Sequence, residues 1–462
     1  MKRKFPRLVI AGTHSGVGKS IISIGIMQVL TKRGLTVQGF KVGPDYIDPS
    51  YHSYVTGRFS RNLDTFLLGE KGVKEIYRRQ GKTADISIFE GAMGLFDGKD
   101  GKSGVGSTAE VAKILKAPVI LVIDCSSQGR SVAAVVQGFA QFDPQVKLKG
   151  VILNRVGSVN HEEILRDALS YLKIPVLGAI PRGALPQLPS RHLGLVPMNE
   201  NGANQEVFNR LAKVLPQYLD FEALLKVAQD VEEEEEKEFI PQIFSQETKN
   251  LVANVKVGYA WDEAFSFYYQ DALEYLEHLG ATLVPFSPLH DSRLPEGLDG
   301  LILGGGFPEV YAQELSANTG LLRQIRQFGL ACKPIYAECG GLMYLTQEII
   351  DFQGNSFSQV GLIPARAIMQ KKLQALGYYQ GETLERSILG PKGTKVKGHE
   401  FHYSVLEPLE NFSPAVTLHK GKGREKTEGF IKGNIYASYL HQHWAGEKHL
   451  AQAFLRSCLE NR

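Results

Sequence analysis

The chain has 462 residues, 43% of them hydrophobic and 22% charged, with a formal net charge of +3. That length is more than one core usually holds and implies two or three domains. No apolar stretch reaches the roughly 20 residues that span a bilayer, and no basic block interleaved with aromatics marks a nucleic-acid binder. The start, MKRKFPR, is followed by only LVIA, too short for a secretory core, so a cytoplasmic protein is expected, with no membrane or nucleic-acid partner and its oligomeric state left open.

In chain order, LVIA runs directly into GTHSGVGKS, residues 12–20, and then into the helix-like IISIGIMQVL. A glycine-rich turn from strand to helix offers backbone N–H groups to phosphates, and Lys19 and Ser20 add an ammonium and a magnesium-ligating hydroxyl. Gly12, Thr13, Ser15, Gly16, Val17, Gly18, Lys19 and Ser20 are therefore expected to bind ATP. Thr13 stands where the usual motif has its first glycine, so the loop is one residue longer than usual.

Six β-branched-rich runs occur in the first 185 residues, LVIAGT, TVQGFKVG, ADISIFEGA, APVILVIDC, KGVILNRV and IPVLGAIPR. Most are continuously apolar, as buried parallel strands are. Helical stretches alternate with them, among them VNHEEILRDALSYL with Asn160 as its expected cap and Ile164, Leu165, Ala168, Leu169 and Leu172 on one face. The alternation predicts a doubly wound, mostly parallel α/β domain, whose ligands gather at the C-terminal strand ends. Those ends carry Lys41, Asp45, Tyr46, Asp48, Glu90, Asp97 and Asp124. Asp45 and Glu90, with the Ser20 hydroxyl, are a candidate magnesium set, since that ion takes oxygen ligands. Lys41 would neutralise a transferring phosphoryl group, and Asn154 is placed to read a base edge. For any one carboxylate the competing reading is a helix cap.

Residues 229–250, QDVEEEEEKEFIPQIFSQETKN, break the pattern and are expected to be an acidic linker between an ATP-dependent domain, 1–228, and a second α/β domain, 251–462. The expected elements there are the strand VKVGYAW, the helix FSFYYQDALEYLEHLG, the strands ATLVPFSP and DGLILGGG, a helix from about Pro308, the strand PIYAEC and the helix GGLMYLTQEII. Cys339 stands on the turn between the last two, a nucleophile elbow whose helix N-terminus favours a thiolate. Cys125, Cys332 and Cys458 form no CxxC or zinc spacing and are not assigned a role. A thiol nucleophile needs an oxyanion hole and a base. Gly305 and Gly306 of GGGFPE, with Gly340, are the candidates for the first, and His441 for the second, with His443 its competitor. GHEFHYS, holding His399, Glu400 and His402, is expected at a substrate-facing loop or an interface, with a packed structural role the alternative.

GTHSGVGKS, FKVGPDYIDP, EGAMGLFDG, GGGFPE, YAECGGL, GHEFHYS and SYLHQHW occur in this order along nearly the whole chain. Together they resemble the cobyrinate a,c-diamide synthase family: a dethiobiotin-synthetase-like P-loop domain, which explains the longer loop, followed by a class I glutamine amidotransferase domain. The resemblance implies ATP- and glutamine-dependent amidation of the a and c acetates of cobyrinate in cobalamin biosynthesis, through acyl phosphates, with Mg2+ as cofactor and L-glutamine as ammonia donor. It also implies ammonia release through a thioester on Cys339 with His441 as base. By motif, Lys19, Ser20, Asp45 and Glu90 match ATP and magnesium positions. Tyr46, Asp48 and Asp97, beside Asp45 and Glu90, fall in loops implied to face the tetrapyrrole polycarboxylate. Hydrogenobyrinate and nickel-sirohydrochlorin are alternative substrates of the same chemistry. A P-loop switch ATPase with a non-catalytic amidotransferase-like module is the alternative of another class. One departure stands out: many class I glutaminases carry a glutamate two residues after the histidine, and this chain has His443 there, which leaves a dyad or a third residue from elsewhere.

Overall fold

The computed structural model describes residues 2–191, 194–200, 205–235, 240–252, 254–421, 423 and 425–462. It divides into two compact units, Met1–Ile240 and Pro241–Arg462.

Among the described residues of the first unit, seven strands form one sheet, all pairs parallel, in the spatial order Arg61–Leu63, Val37–Val42, Ile86–Glu90, Arg7–Gly12, Val119–Asp124, Leu148–Val156 and Val176–Pro181. The six expected runs are six of these strands. The seventh, the polar Arg61–Leu63, carries no β-branched residue and is drawn into an edge position by pairing with Phe40–Val42. Arg7–Gly12 is buried along its length and lies where the strand order reverses, the switch point at which such sheets bind ligands. The helix Lys19–Lys32 follows it, buried nearly all round as its composition requires. Helix Val159–Leu169 is capped by Ser158, whose hydroxyl accepts from His161 N–H, and not by Asn160. Leu165, Ala168 and Leu169 face inward, while Ile164 is exposed.

The boundary between units falls within the acidic stretch, yet the start of that stretch does not run free in solvent. Glu234 pairs with Arg7 at 2.9 Å and Arg78 at 3.0 Å, because the guanidinium of Arg7 is buried and needs a counter-charge. Residues 236–239 of the stretch lie outside the described residues.

Among its described residues, the second unit holds a six-stranded sheet in the order Ala281–Phe286, Val255–Ala260, Gly300–Leu303, Ile335–Glu338, Ile435–Ser438 and Phe430–Lys432, parallel except for the last pair. Two expected helices are shorter than their sequence pattern suggests. FSFYY opens with the strand Phe265–Phe267, and the helix is Gln270–His278. Helix Gly340–Leu345 stops where the β-branched TQEII begins, and Thr346–Ile350 is a strand paired with Ile363–Met369. GHEFHYS is not a loop: it lies in and just after the strand Lys395–His402, with His399, Glu400 and His402 buried.

Candidate functional site

In the first unit the loop after Arg7–Gly12 has the backbone of a phosphate cradle. Gly16 and Gly18 are left-handed, at φ 82° and 99°, which favours glycine. A Cβ on Gly12 would sit 2.6 Å from Val17 Cγ2, so the first glycine is required by close packing of the loop. The loop tip is held from two sides. Leu95 N–H donates to Gly12 O at 2.8 Å, and Lys19 Nζ donates to Met93 O at 2.5 Å and His14 O at 3.2 Å. Burial and the nearby Lys41 ammonium push Lys19 down to about 8, which keeps its charge responsive to an arriving anion.

Behind the cradle lies a buried network. Lys41 Nζ donates to Asp48 Oδ2 at 2.5 Å and Glu90 Oε1 at 2.8 Å. Ser20 Oγ donates to Glu90 Oε1 at 2.6 Å and reaches Asp48 Oδ2 at 3.1 Å, and His52 Nε2 lies 2.7 Å from Glu90 Oε2. Burial alone would drive Lys41 down, but the carboxylates of Asp48, Glu90 and Asp45 outweigh it and hold the ammonium charged. Burial also works to raise both acids. It prevails at Asp48, helped by Asp45 and Glu90, whereas Lys41 and His52 pull Glu90 well below the usual range.

Of the three residues grouped for magnesium, Ser20 and Glu90 are hydrogen-bonded to each other, while Asp45 stands at the edge of the network with Oδ2 3.7 Å from Lys41 Nζ. Asp45 Oδ1 accepts from Ile47 N–H at 2.8 Å and Asp48 N–H at 3.1 Å, the start of helix Ile47–Thr56. That is close to the helix-start role of the competing reading, and Asp48, three residues on, is the carboxylate beside Ser20. Tyr46 is half-buried at the same helix start. Asp97 is exposed and its Oδ2 accepts from Gly94 N–H at 2.8 Å, closing the loop that leans on the cradle.

Asn154 is not free to read a base. Its Nδ2 donates to Val17 O at 2.7 Å, and Arg155, left-handed at φ 60°, pairs with Asp124 and donates to Gly16 O at 2.8 Å. Both brace the cradle from the strand end. Beside them opens a cavity of about 440 Å³ lined by Gly18, Lys19, Asn154, Arg155, Leu185 and Pro186. Its apolar wall comes from the segment following the strand Val176–Pro181, which sequence reasoning left unassigned. The rule that ligands sit at C-terminal strand ends would have found it.

In the second unit Cys339 has φ 47° and ψ −102°, a strained turn for a residue with a side chain. Its surroundings demand small residues. A Cβ on Gly341 would be 2.0 Å from Leu303 O, and one on Gly340 would be 3.0 Å from Gly306 N and 2.9 Å from Pro308 Cδ. Gly306 and Gly340 are thereby adjacent at the Cys339 turn, as an oxyanion pocket would need. Gly305 abuts His441, since a Cβ there would lie 2.4 Å from His441 Cε1. The imidazole hydrogen-bonds with Cys339, and its Nδ1 lies 3.5 Å from Glu338 Oε2. Burial acts to lower the His441 pKa, but Cys339 and Glu338 overcome it and push it up to about 10, which favours the imidazolium. His443 instead stacks on Tyr269, centroids 4.5 Å apart and 12° between planes, and burial, with Lys397 adding, pushes it down to about 3. The competitor is a neutral packing residue.

Two family models cover these regions in turn. Residues 8–196 match the CobQ/CobB/MinD/ParA nucleotide binding domain, and residues 256–449 match the CobB/CobQ-like glutamine amidotransferase domain. A cobyrinate a,c-diamide synthase of Caldanaerobacter subterraneus subsp. tengcongensis is 44% identical over 97% of this chain and 98% of its own. The chain belongs to the cobyrinate a,c-diamide synthase family. A Synechococcus sp. synthase of the same name is 46% identical over 98% of each chain, and a hydrogenobyrinate a,c-diamide synthase of Streptomyces coelicolor is 41% identical over 98% of this chain and 97% of its own.

Membership of this family makes the chain a nucleotide-binding, glutamine-dependent ligase and sets aside the switch-ATPase alternative. No helix among the described residues is long and apolar enough to cross a membrane. Gly305 offers a direct test of the amidotransferase site. Gly305→Ala is expected to displace the His441 ring and lower glutamine hydrolysis about 10²-fold, the scale of a misplacement near 1 Å, without altering ammonium-driven amidation. A glutaminase rate close to the parent's would show that the ring has room to spare.

Proposed function

We propose that this member of the cobyrinate a,c-diamide synthase family amidates the a and c acetate carboxylates of cobyrinate in cobalamin biosynthesis, using ATP and glutamine. A substrate carboxylate oxygen attacks the γ-phosphorus of ATP and ADP leaves, giving an acyl phosphate. Ammonia attacks the acyl carbon, the C–O bond to phosphate breaks, and the amide forms as the nitrogen loses a proton. Lys19 and the cradle N–H groups bind the phosphates, and Lys41 holds Asp48 and Glu90 in place around Ser20. These oxygen donors fit magnesium, which this enzyme class holds with one or two carboxylates plus phosphates. Ser20, Asp48 and Glu90 would hold it, and bound there it would neutralise phosphate charge.

At the second site the Cys339 thiolate attacks the glutamine δ-carbonyl, and the C–N bond breaks as His441 protonates the departing ammonia. Water then hydrolyses the thioester to glutamate. Gly306 and Gly340 are assigned to the oxyanion. The observation that carries the reading is the pairing, in one chain, of a phosphate cradle backed by buried carboxylates with a strained cysteine elbow beside a charged histidine. The Streptomyces coelicolor relative favours hydrogenobyrinate as the second reading.

Two measurements test this. With the acetate carboxylates labelled with 18O, one label per amide formed is expected in inorganic phosphate; unlabelled phosphate excludes an acyl phosphate. Steady-state rates with cobyrinate, hydrogenobyrinate and nickel-sirohydrochlorin are expected to give the highest kcat/KM for cobyrinate, and a higher value for either of the others replaces the substrate.

A further inference from the structure

We propose that Glu338, the residue immediately before the nucleophile, is the positioning acid of the Cys339–His441 pair, supplying from the nucleophile's own strand the carboxylate that position 443 lacks. The inference rests on the reading of Cys339 as nucleophile. Its basis is the register of two parallel strands. Ile335–Glu338 pairs with Ile435–Ser438 so that Glu338 stands opposite Ser438, and the chain leaving Ser438 carries His441 and Gln442 past the Glu338 carboxylate. Gln442 N–H donates to Glu338 Oε1 at 2.9 Å, while His441 Nδ1 lies 3.5 Å from Oε2. Tyr336, two residues earlier on the same face, donates its hydroxyl to Oε1 at 2.5 Å. One oxygen is thus fixed by two donors and the other is turned toward the imidazole.

Among the described residues, the other titratable groups at the site do not take this part. His443 is neutral and stacked on Tyr269. His399, whose backbone pairs with that of His441, is pushed down to about 3 by burial and the facing His441 charge. The remaining titratable neighbours of Glu338, Tyr268, Tyr336 and Tyr436, are held above the usual phenol range by burial, with the carboxylate adding. A carboxylate at Nδ1 leaves Nε2 to exchange the proton with sulfur and ammonia, and it stabilises the imidazolium.

The test uses the full chain with glutamine hydrolysis as the readout. Neutralising a triad acid costs up to about 10⁴-fold in kcat. Glu338→Gln is expected to lower kcat at least 10²-fold with little change in KM for glutamine, and Glu338→Asp to recover part of the loss. With the carboxylate gone the imidazolium loses its proton more readily, so the alkaline limb of kcat is expected to move to lower pH by about one unit or more. Alkylation of Cys339 by iodoacetamide, read on its peptide, checks this without turnover: the midpoint for thiolate formation is expected to rise in Glu338→Gln. Should that variant fold poorly, Tyr336→Phe keeps the carboxylate and removes one of its anchors, and a smaller loss with a shift of the same sign is expected. A kcat within twofold of the parent's, or a lower kcat with unmoved pH limb and alkylation midpoint, overturns the proposal. Glutamine hydrolysis by Cys339→Ala would instead remove the reading beneath it, whereas an inactive Cys339→Ala beside a parent-like Glu338→Gln removes the positioning role alone.

Discussion

Cys339→Ala is expected to abolish glutamine-dependent amidation and to leave amidation driven by added ammonium salt at the parental level. The side chain is almost fully buried at the end of a strand, but the substitution removes a single sulfur and keeps a Cβ, so backbone strain at φ 47° is the same in both proteins. The fold therefore survives, and what disappears is the only proposed route from glutamine to free ammonia. Ammonium salt bypasses that route because the acyl phosphate is attacked by ammonia whatever its source. Comparing the two nitrogen donors with one corrinoid and ATP makes the assignment decidable. Persistence of both activities would put the nucleophile elsewhere. Loss of both would make Cys339 a structural residue of its unit.

The phosphate cradle and the cysteine elbow were legible in the sequence because each is a local motif, a turn whose glycines and polar residues are adjacent in the chain. The parallel sheet of the first unit was legible for a related reason. Its strands are buried on both faces and so read as continuous apolar runs. What escaped depends on contacts distant in sequence or on a three-residue offset. Asp45 and Asp48 stand on either side of a helix start, and only the direction of the first turn decides that one caps it and the other faces Ser20. Asn154 reads as a strand-end polar residue, and its engagement with Val17 O needs the loop of another strand. The role proposed for Glu338 follows from pairing with a strand about a hundred residues on, although an acid directly before Cys339, where a buried strand should be apolar, was a usable signal. The strand Thr346–Ile350 was hidden by its position after a helix that ends early, and its β-branched residues were the cue.

The offset between Asp45 and Asp48 leads to the second large effect. Glu90→Gln is expected to lower the ATP-dependent step, followed as ADP release with ammonium salt as nitrogen donor, by about 10²- to 10³-fold, the scale of removing one group aimed at developing charge. Glu90 is completely buried and accepts from both Ser20 and Lys41. The amide oxygen can keep Lys41 while the NH2 faces His52, so the chain folds with a loss on the order of 1–3 kcal/mol, and glutamine hydrolysis at Cys339 stays measurable. Asp48→Asn is expected to follow the same pattern, with a smaller stability cost, since the amide resembles the protonated acid that burial and the charges of Asp45 and Glu90 favour there. Asp45→Asn is expected to stay within a few-fold of the parent in both activities, because asparagine caps a helix start about as well as aspartate. The opposite order, with Asp45→Asn inactive and Asp48→Asn active in ADP release, would return the metal-side role to Asp45 and make the Lys41–Asp48 contact a purely structural ion pair.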